Sequence, residues 1–376
     1  MPTARLPIVL AINATELVPH FIQPVPTATD LAVRVGCPHD IVGLRAWHDP
    51  ATWPDGIIPS NGSSVTIPVG APVLISSCSI AASDIYTTIT VPANATLILA
   101  DANITLAVGA INVVGGALLA GNVSCRLRSV VNITLVGSRP GGPTMQGLQS
   151  IQQSPPANAK GILVSGIGVL ELHGTQYAPT WTRLSSPAIV GDTWLYVQDA
   201  VNWEPGQTIV VLTSALKDSR DYTESEERVL RAVYSVPVAG GGANVTALQL
   251  DRPLQHAHYA GTEYQAEVAL MSRRLVVSGS IVDSPPIDAT PVSCPGNGFS
   301  SVPCGNTSLT GYGGHVMVMG SGATGRISGV LLLRMGQTNT MGRYAMHFHL
   351  VNDSGYRSFV QVSSAAVSLR TSSCAA

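Results

Sequence analysis

His347 and His349 stand at i and i+2 within Gly342-Arg-Tyr-Ala-Met-His-Phe-His-Leu350. In a strand, alternate side chains share a face, so both imidazoles project the same way. Two such rings can exchange protons near neutral pH or contribute to a divalent-metal site. Arg343 and Tyr344 add a cation and an aromatic face just upstream, a pairing that grips an acidic sugar. These residues make His347, His349 and Arg343 the catalytic candidates. His315, in Gly313-Gly-His-Val-Met-Val-Met319, is placed to stack nearby. His315, Tyr344, Trp47 and Trp53 are the substrate-contact candidates. The competing reading is structural: imidazoles and aromatics fill an interior and bond to the backbone.

Glycoside hydrolysis ordinarily needs two carboxylates across the scissile bond, and none lies inside the histidine motif. Asp49, Asp55, Asp218, Asp221, Glu224, Glu226, Glu227, Asp283 and Asp353 are the acids at hand. Lys217 to Arg228 is the most charged segment and reads as a solvated loop. His256 and His258 have no third ligand in sequence. No phosphate loop, nucleophile elbow, zinc-finger spacing or dinucleotide fingerprint occurs.

The elements that must hold these residues are short strands. Val65-Thr-Ile67, Val73-Leu-Ile75, Thr88 to Val91, Thr96 to Leu99, Ile104 to Leu106, Ile111 to Val114 and Asn132 to Val136 are brief β-branched runs. They end at Gly, Asn, Asp or Pro and come too densely for alternating strands and helices. Piled coils of a β-solenoid fit this spacing. A sandwich or jelly roll is the alternative. Gly191 to Leu250 carries longer strands around a charged stretch and a glycine turn, so it reads as a small antiparallel barrel inserted into the repeat.

Composition agrees with an all-β chain. Of 376 residues, 45% are hydrophobic, only 11% are charged, and Gly 37 and Pro 26 supply many turns. A formal net charge of −2 without basic runs argues against a nucleic-acid partner. No apolar run is long enough to span a bilayer. Sequons at Asn13, Asn61, Asn94, Asn103, Asn122, Asn132, Asn244, Asn306 and Asn352 point to a glycosylated surface. Six cysteines fit disulfides in an oxidising compartment, with Cys294 and Cys304 the best pair because they bracket a Pro/Gly/Asn/Ser loop. Residues 1–20 make a poor signal peptide, so the chain reads as a piece of a longer secreted or membrane-anchored protein.

Two blocks resemble a known family. Trp47 to Ile75, with paired tryptophans, the Trp53-Pro-Asp-Gly56 turn and the Val-x-Ile strands, looks like the start of the G8 domain of the fibrocystin and hyaluronan-binding cell-migration-inducing group. Gly313 to Met319, Met335-Gly-Gln337 and Gly342 to Leu350 resemble the β-helix domain that follows G8 there. The resemblance implies a right-handed parallel β-helix of pectin-lyase type at the cell surface or outside the cell. It also implies contact with a polysaccharide or matrix glycan, which some members depolymerise. The expected organisation is a lead-in (1–44), a G8 domain (45–174), the inserted barrel (175–262), the start of a second β-helix domain (263–356) and a divergent tail (357–376). Three readings of function follow: a carbohydrate- or matrix-binding ectodomain, a hyaluronidase-like enzyme, and a non-catalytic adhesion or ciliary ectodomain. Whether a divalent metal sits at His347 and His349 stays open.

Overall fold

A computed structural model of the chain describes residues 34–138, 159–215, 224–236, 245–282, 291–292, 304–305, 312–337, 340–352 and 358–361. Asn13, Asn244, Asn306, Cys294, Cys374, Asp218, Asp221, Asp283, Asp353 and the side chain of Cys304 lie outside the described residues.

The chain winds as a parallel β-helix with three strand tracks, here faces A, B and C. It opens with Arg45–Ala46 (β1, face A), Ser64–Thr66 (β2, face C) and Val73–Ile75 (β3, face A). Ile85–Pro92 (β4) bends across faces B and C, Thr96–Leu99 (β5) returns to A, and Ile104–Val114 (β6) repeats the bend. Ala117–Ala120 (β7, A), Val131–Leu135 (β8, B), Gly161–Ser165 (β9, C) and Val169–His173 (β10, A) complete the coils before the insertion. The fork is visible in β6: Ile104 to Val108 pair with β8, whereas Ala110 to Val114 pair with β9.

The inserted unit holds Trp181–Arg183 (β11), Trp194–Val197 (β12), Thr208–Val211 (β13), Glu226–Val236 (β14), Val245–Leu250 (β15) and Glu267–Leu270 (β16). They pair antiparallel in the order β11-β16-β13-β14-β15-β12. A bridge between Leu184 and Val197 joins the two outer strands and closes the barrel. Closure satisfies both edges, and the barrel has its own core of Leu195, Trp203, Ile209, Val211 and Leu248.

The helix resumes at Leu275–Gly279 (β17, B). After the short pair Pro291–Val292 (β18) and Cys304–Gly305 (β19) come His315–Met319 (β20, C) and Thr324–Ser328 (β21, A). Val330–Leu333 (β22, B), His347–His349 (β23, C) and Phe359–Gln361 (β24, A) follow. β17 pairs with β8, β20 with β9, and β21 with β10. Strands on either side of the barrel are therefore neighbours in one continuous helix, and the expected second β-helix domain is a continuation of the first. The barrel also reaches further than residue 262, because β16 pairs with β11 and β13.

Alternation explains why these runs form walls. In β8, Val131, Ile133 and Leu135 point in and are fully buried, while Asn132 and Thr134 face out. Stacked inward rows such as Val73, Leu97 and Leu118 are fully buried too. Each such side chain contributes roughly 1.5–3 kcal/mol, so coil-on-coil packing carries the stability. Gly109 lets β6 run unbroken where two separate strands are expected: a Cβ there would meet the Thr87 carbonyl oxygen at 2.5 Å.

Two anchors were not expected. Cys37 and Cys125 form a disulfide, and Val35 N–H donates to the Ser124 carbonyl, so residues 34–44 are tied to the wall. Cys78 is free and exposed. In the barrel, Glu226 and Arg228 are buried partners in β14, which corrects the reading of their segment as solvated loop.

Candidate functional site

Tyr344, His347 and His349 gather on the outward side of face C at the last described coil. β23 lies parallel to β20 with Met317 opposite His347 and Met319 opposite His349. Phe348 turns inward and packs on the core, so the flanking histidines turn outward. The turn leading to β23 uses Gly342 at φ +77°, which glycine tolerates without strain. It is closed by Arg343 N–H donating to the Thr340 carbonyl at 3.2 Å and Gln337 N–H donating to the Arg343 carbonyl at 2.9 Å.

Three rings line the exposed surface. Tyr344, 53% exposed, meets His347 edge-to-face at 5.1 Å, and His347 meets His349 the same way at 5.3 Å. His347 Nδ1 lies 3.0 Å from the Gly342 carbonyl oxygen, which can only accept. That nitrogen therefore donates to the carbonyl, which leaves Nε2 as the other polar atom of the ring. His349 is exposed. Arg343 is half-buried, and burial lowers its guanidinium below the usual value, with Tyr312 opposing the shift. Its Nε has no hydrogen-bond partner, and no carboxylate pairs with it among the described residues.

Other expected contacts lie elsewhere. His315 faces outward from β20 but is completely buried under the following turn. Its ring lies over Gly161, where a Cβ would come within 2.2 Å of it, and Gln337 sits 3.5 Å from its Nδ1. His315 is a support beneath the surface rather than a contact on it. Trp47 and Trp53 are 0% and 7% exposed, meet at 5.0 Å, and are joined by Trp53 Nε1–H donating to the Trp47 carbonyl at 2.8 Å. They plug the first coil; Trp47 is closed off, and the small exposed part of Trp53 borders a groove with Arg45, Thr66 and Pro92. Asp49 and Asp55 accept backbone N–H bonds from Ala51 and Ile57 in exposed turns.

Sequence reasoning passed over the support residues. Gly161 in a strand was the available signal, since a strand glycine marks a close approach. It also missed a buried network on face A. His173 lies 2.6 Å from Glu171 and 3.0 Å from Ser328 Oγ, and Arg126 donates to Ser328 Oγ at 2.7 Å. Arg326 pairs with the other Glu171 oxygen. The arrangement has the residue types of a hydrolytic triad, but His173 is 0% and Ser328 1% exposed, so no substrate reaches it. Burial drives the His173 imidazole below its ordinary value against the pull of Glu171, and drives Arg126 down to about 10.

For a metal, His347 and His349 supply two nitrogens, one short of the smallest protein ligand set usual for zinc. Among the described residues the one cluster of three ligand atoms is Cys37, His39 and Cys125, whose sulfurs are bonded to each other.

A three-track parallel β-helix interrupted by a closed barrel, with a Gly-Arg-Tyr-x-x-His-Phe-His turn on its last described coil, defines the class as a parallel β-helix protein. The G8 domain model matches residues 52–185 and the CEMIP beta-helix model matches residues 311–374. The chain is similar to G8 domain-containing proteins, fibrocystin-L among them. It is 36% identical to a G8 domain-containing protein of Dictyostelium discoideum over 318 residues, 84% of this chain and 24% of that protein. Identity to protein rliB of the same organism is 36% over 316 residues, 84% and 24% of the two chains. Human fibrocystin-L is 29% identical over 347 residues, 86% of this chain and 8% of its own length. The chain thus spans about a quarter of the length of these two Dictyostelium relatives. No helix among the described residues is long and apolar enough to cross a membrane.

Proposed function

We propose that the chain is part of an extracellular or cell-surface glycoprotein that binds an acidic polysaccharide along the Tyr344, His347 and His349 surface. The observation that carries this reading is the run of three rings, Tyr344 and His349 exposed and His347 half-buried between them, beside a half-buried arginine without a carboxylate partner among the described residues. Tyr344 offers a face for a pyranose ring, His347 its Nε2, and Arg343 a counter-charge for a uronate. The family similarity and the sequons support the extracellular setting. Asn61, Asn94, Asn103 and Asn352 are exposed, and Asn132 is half-buried on an outward position. Asn122 uses both ends of its amide internally: Nδ2–H donates to the Gly36 carbonyl, and Oδ1 accepts from Ser124 and Cys125 N–H.

Binding is favoured over turnover because acid/base work needs a tuned proton donor within reach of substrate. Of the histidines paired with carboxylates among the described residues, His173 and His258 are buried and His39 meets its neighbour Asp40 at 3.9 Å at the start of the described chain, whereas neither His347 nor His349 has a carboxylate partner there. The test is affinity electrophoresis of the whole chain in gels containing hyaluronan, chondroitin sulfate or alginate, with chain length of each polymer followed in parallel. Retardation abolished by Tyr344→Ala with His347→Ala, without polymer shortening, is expected. Shortening that disappears with His347→Ala and His349→Ala would instead establish the enzyme reading. Neither retardation nor shortening would leave the adhesion-type ectodomain.

A further inference from the structure

We infer that the outer face of the inserted barrel carries a second carbohydrate site, separate from the imidazole surface and shaped for neutral sugars. β14, β15 and β12 lie side by side, and their register sets the outward side chains in two rows. One row runs Ala232, Gln249, Trp194, and the next runs Tyr234, Ala247, Tyr196. The inward positions between them belong to Leu195, Leu248 and Val233, which pack in the barrel core.

Ala247 lies on the outward side yet is only 3% exposed, because its row-mates roof it over. Trp194 and Tyr234 meet across β15 at 6.0 Å between centroids, with 35° between their planes. Rings inclined this gently over a small residue form a shelf. Tyr234 is 55% and Tyr196 41% exposed, so both keep ring surface in contact with solvent. Beside the shelf runs an open groove of about 350 Å³, lined by Ser186, Asp192, Thr193, Trp194 and Tyr196. That volume falls within the range of small-ligand sites. Asp192 lines the groove and accepts the Ile189 N–H at 2.8 Å through Oδ2, which holds its carboxylate in place.

A pyranose presents aliphatic C–H groups on one face and hydroxyls around its rim. It therefore needs a π-face flanked by groups that bond hydroxyls, which is what the two rows and the groove offer. Tryptophan and tyrosine also anchor protein partners, so the sugar is favoured by the hydroxyl-bonding groups of the adjoining groove, and self-association is the competing outcome in the test. Asp192 would repel a uronate or sulfate. On the adjoining β11, Arg183 lies over the Trp181 ring at 5.6 Å and is paired with Glu267 at 3.8 Å.

The experiment is affinity electrophoresis of the whole chain in gels containing laminarin, mannan or hydroxyethyl cellulose, with hyaluronan as the acidic reference. Wild type is compared with Trp194→Ala/Tyr196→Ala and with His347→Ala/His349→Ala. At least one neutral polymer is expected to retard wild type. The aromatic pair of substitutions should weaken that interaction roughly tenfold per ring and leave hyaluronan retardation unchanged. The histidine pair should do the reverse, so failure of one site does not imply failure of the other. If the aromatic pair disturbs the melting profile, Tyr234→Ser at the exposed edge provides the same readout. No retardation by any neutral polymer, or retardation unaltered in the aromatic variants, overturns the inference. So does self-association that those variants abolish, which would assign the shelf to a protein contact.

Discussion

Gly161→Ala is the sharpest single perturbation of the ground beneath the imidazole surface. The added methyl would lie 2.2 Å from Cε1 and 2.4 Å from Nε2 of His315. Non-bonded carbons settle at about 3.5 Å or more, so the ring or the strand must give by roughly 1.3 Å. His315 is completely buried and sits beside the Gln337 amide, so it has no open space to enter. Overpacking of this kind costs about 1–3 kcal/mol. Urea unfolding followed by tryptophan fluorescence reads that loss. Pairing the change with His315→Ala should recover at least about 1 kcal/mol, since the two groups share one space. Glycan binding at Tyr344 and His347 should weaken in the single variant, because the turn that carries them rests on His315. A Gly161→Ala protein as stable as wild type, or a double variant with strictly additive losses, would refute the packing argument.

Four further outcomes are expected. Glu226→Ala strands the buried Arg228 and frees the N–H groups of Gln255 and His256, so the barrel should lose about 3–5 kcal/mol, seen as faster amide exchange in β13 to β15. Burial alone would raise the Glu226 carboxyl. The Gln255 and His256 N–H groups, His258 and Arg228 outweigh burial and hold the carboxyl below its ordinary value, so its stabilisation should fade only as pH falls below about 4. His173 is lowered by burial, so the unfolded chain takes up its proton first. Stability should drop as pH falls from about 6.5 through the lower folded value, and His173→Gln should flatten that slope in pH-resolved melts. Replacing Cys37 and Cys125 by serine opens a loop with a sequence separation of 88 and should cost roughly 2–5 kcal/mol in a chemical melt without moving the barrel's exchange rates.

Much of the wall was legible because alternation is local. Val131 to Leu135 announces which side chains face in, and the β-branched runs around it do the same. The three-track path was not legible, since pairing such as Val169 with Thr324 bridges the whole barrel and leaves no local trace. Gly109 looked like a strand end because glycine breaks strands more often than it permits close contact. Glu226 and Arg228 looked solvated because charge runs usually are, and only the fold brings His258 to them. The Cys37 and Cys125 pairing is set by how residues 34–44 return to the corner after β7, which spacing does not encode. At the site, the shared face of His347 and His349 followed from strand period alone. The burial of His315 did not, because it depends on the turn that covers it.

The most direct measurement is a heteronuclear spectrum of the histidine Cε1–Hε1 groups during titration with a hyaluronan oligosaccharide. Resonances of His347 and His349 are expected to shift in a saturable way while those of buried His173, His258 and His315 stay in place. Saturable binding that leaves His347 and His349 unmoved, or no binding by a folded chain, would contradict the assignment of the ligand surface to these rings.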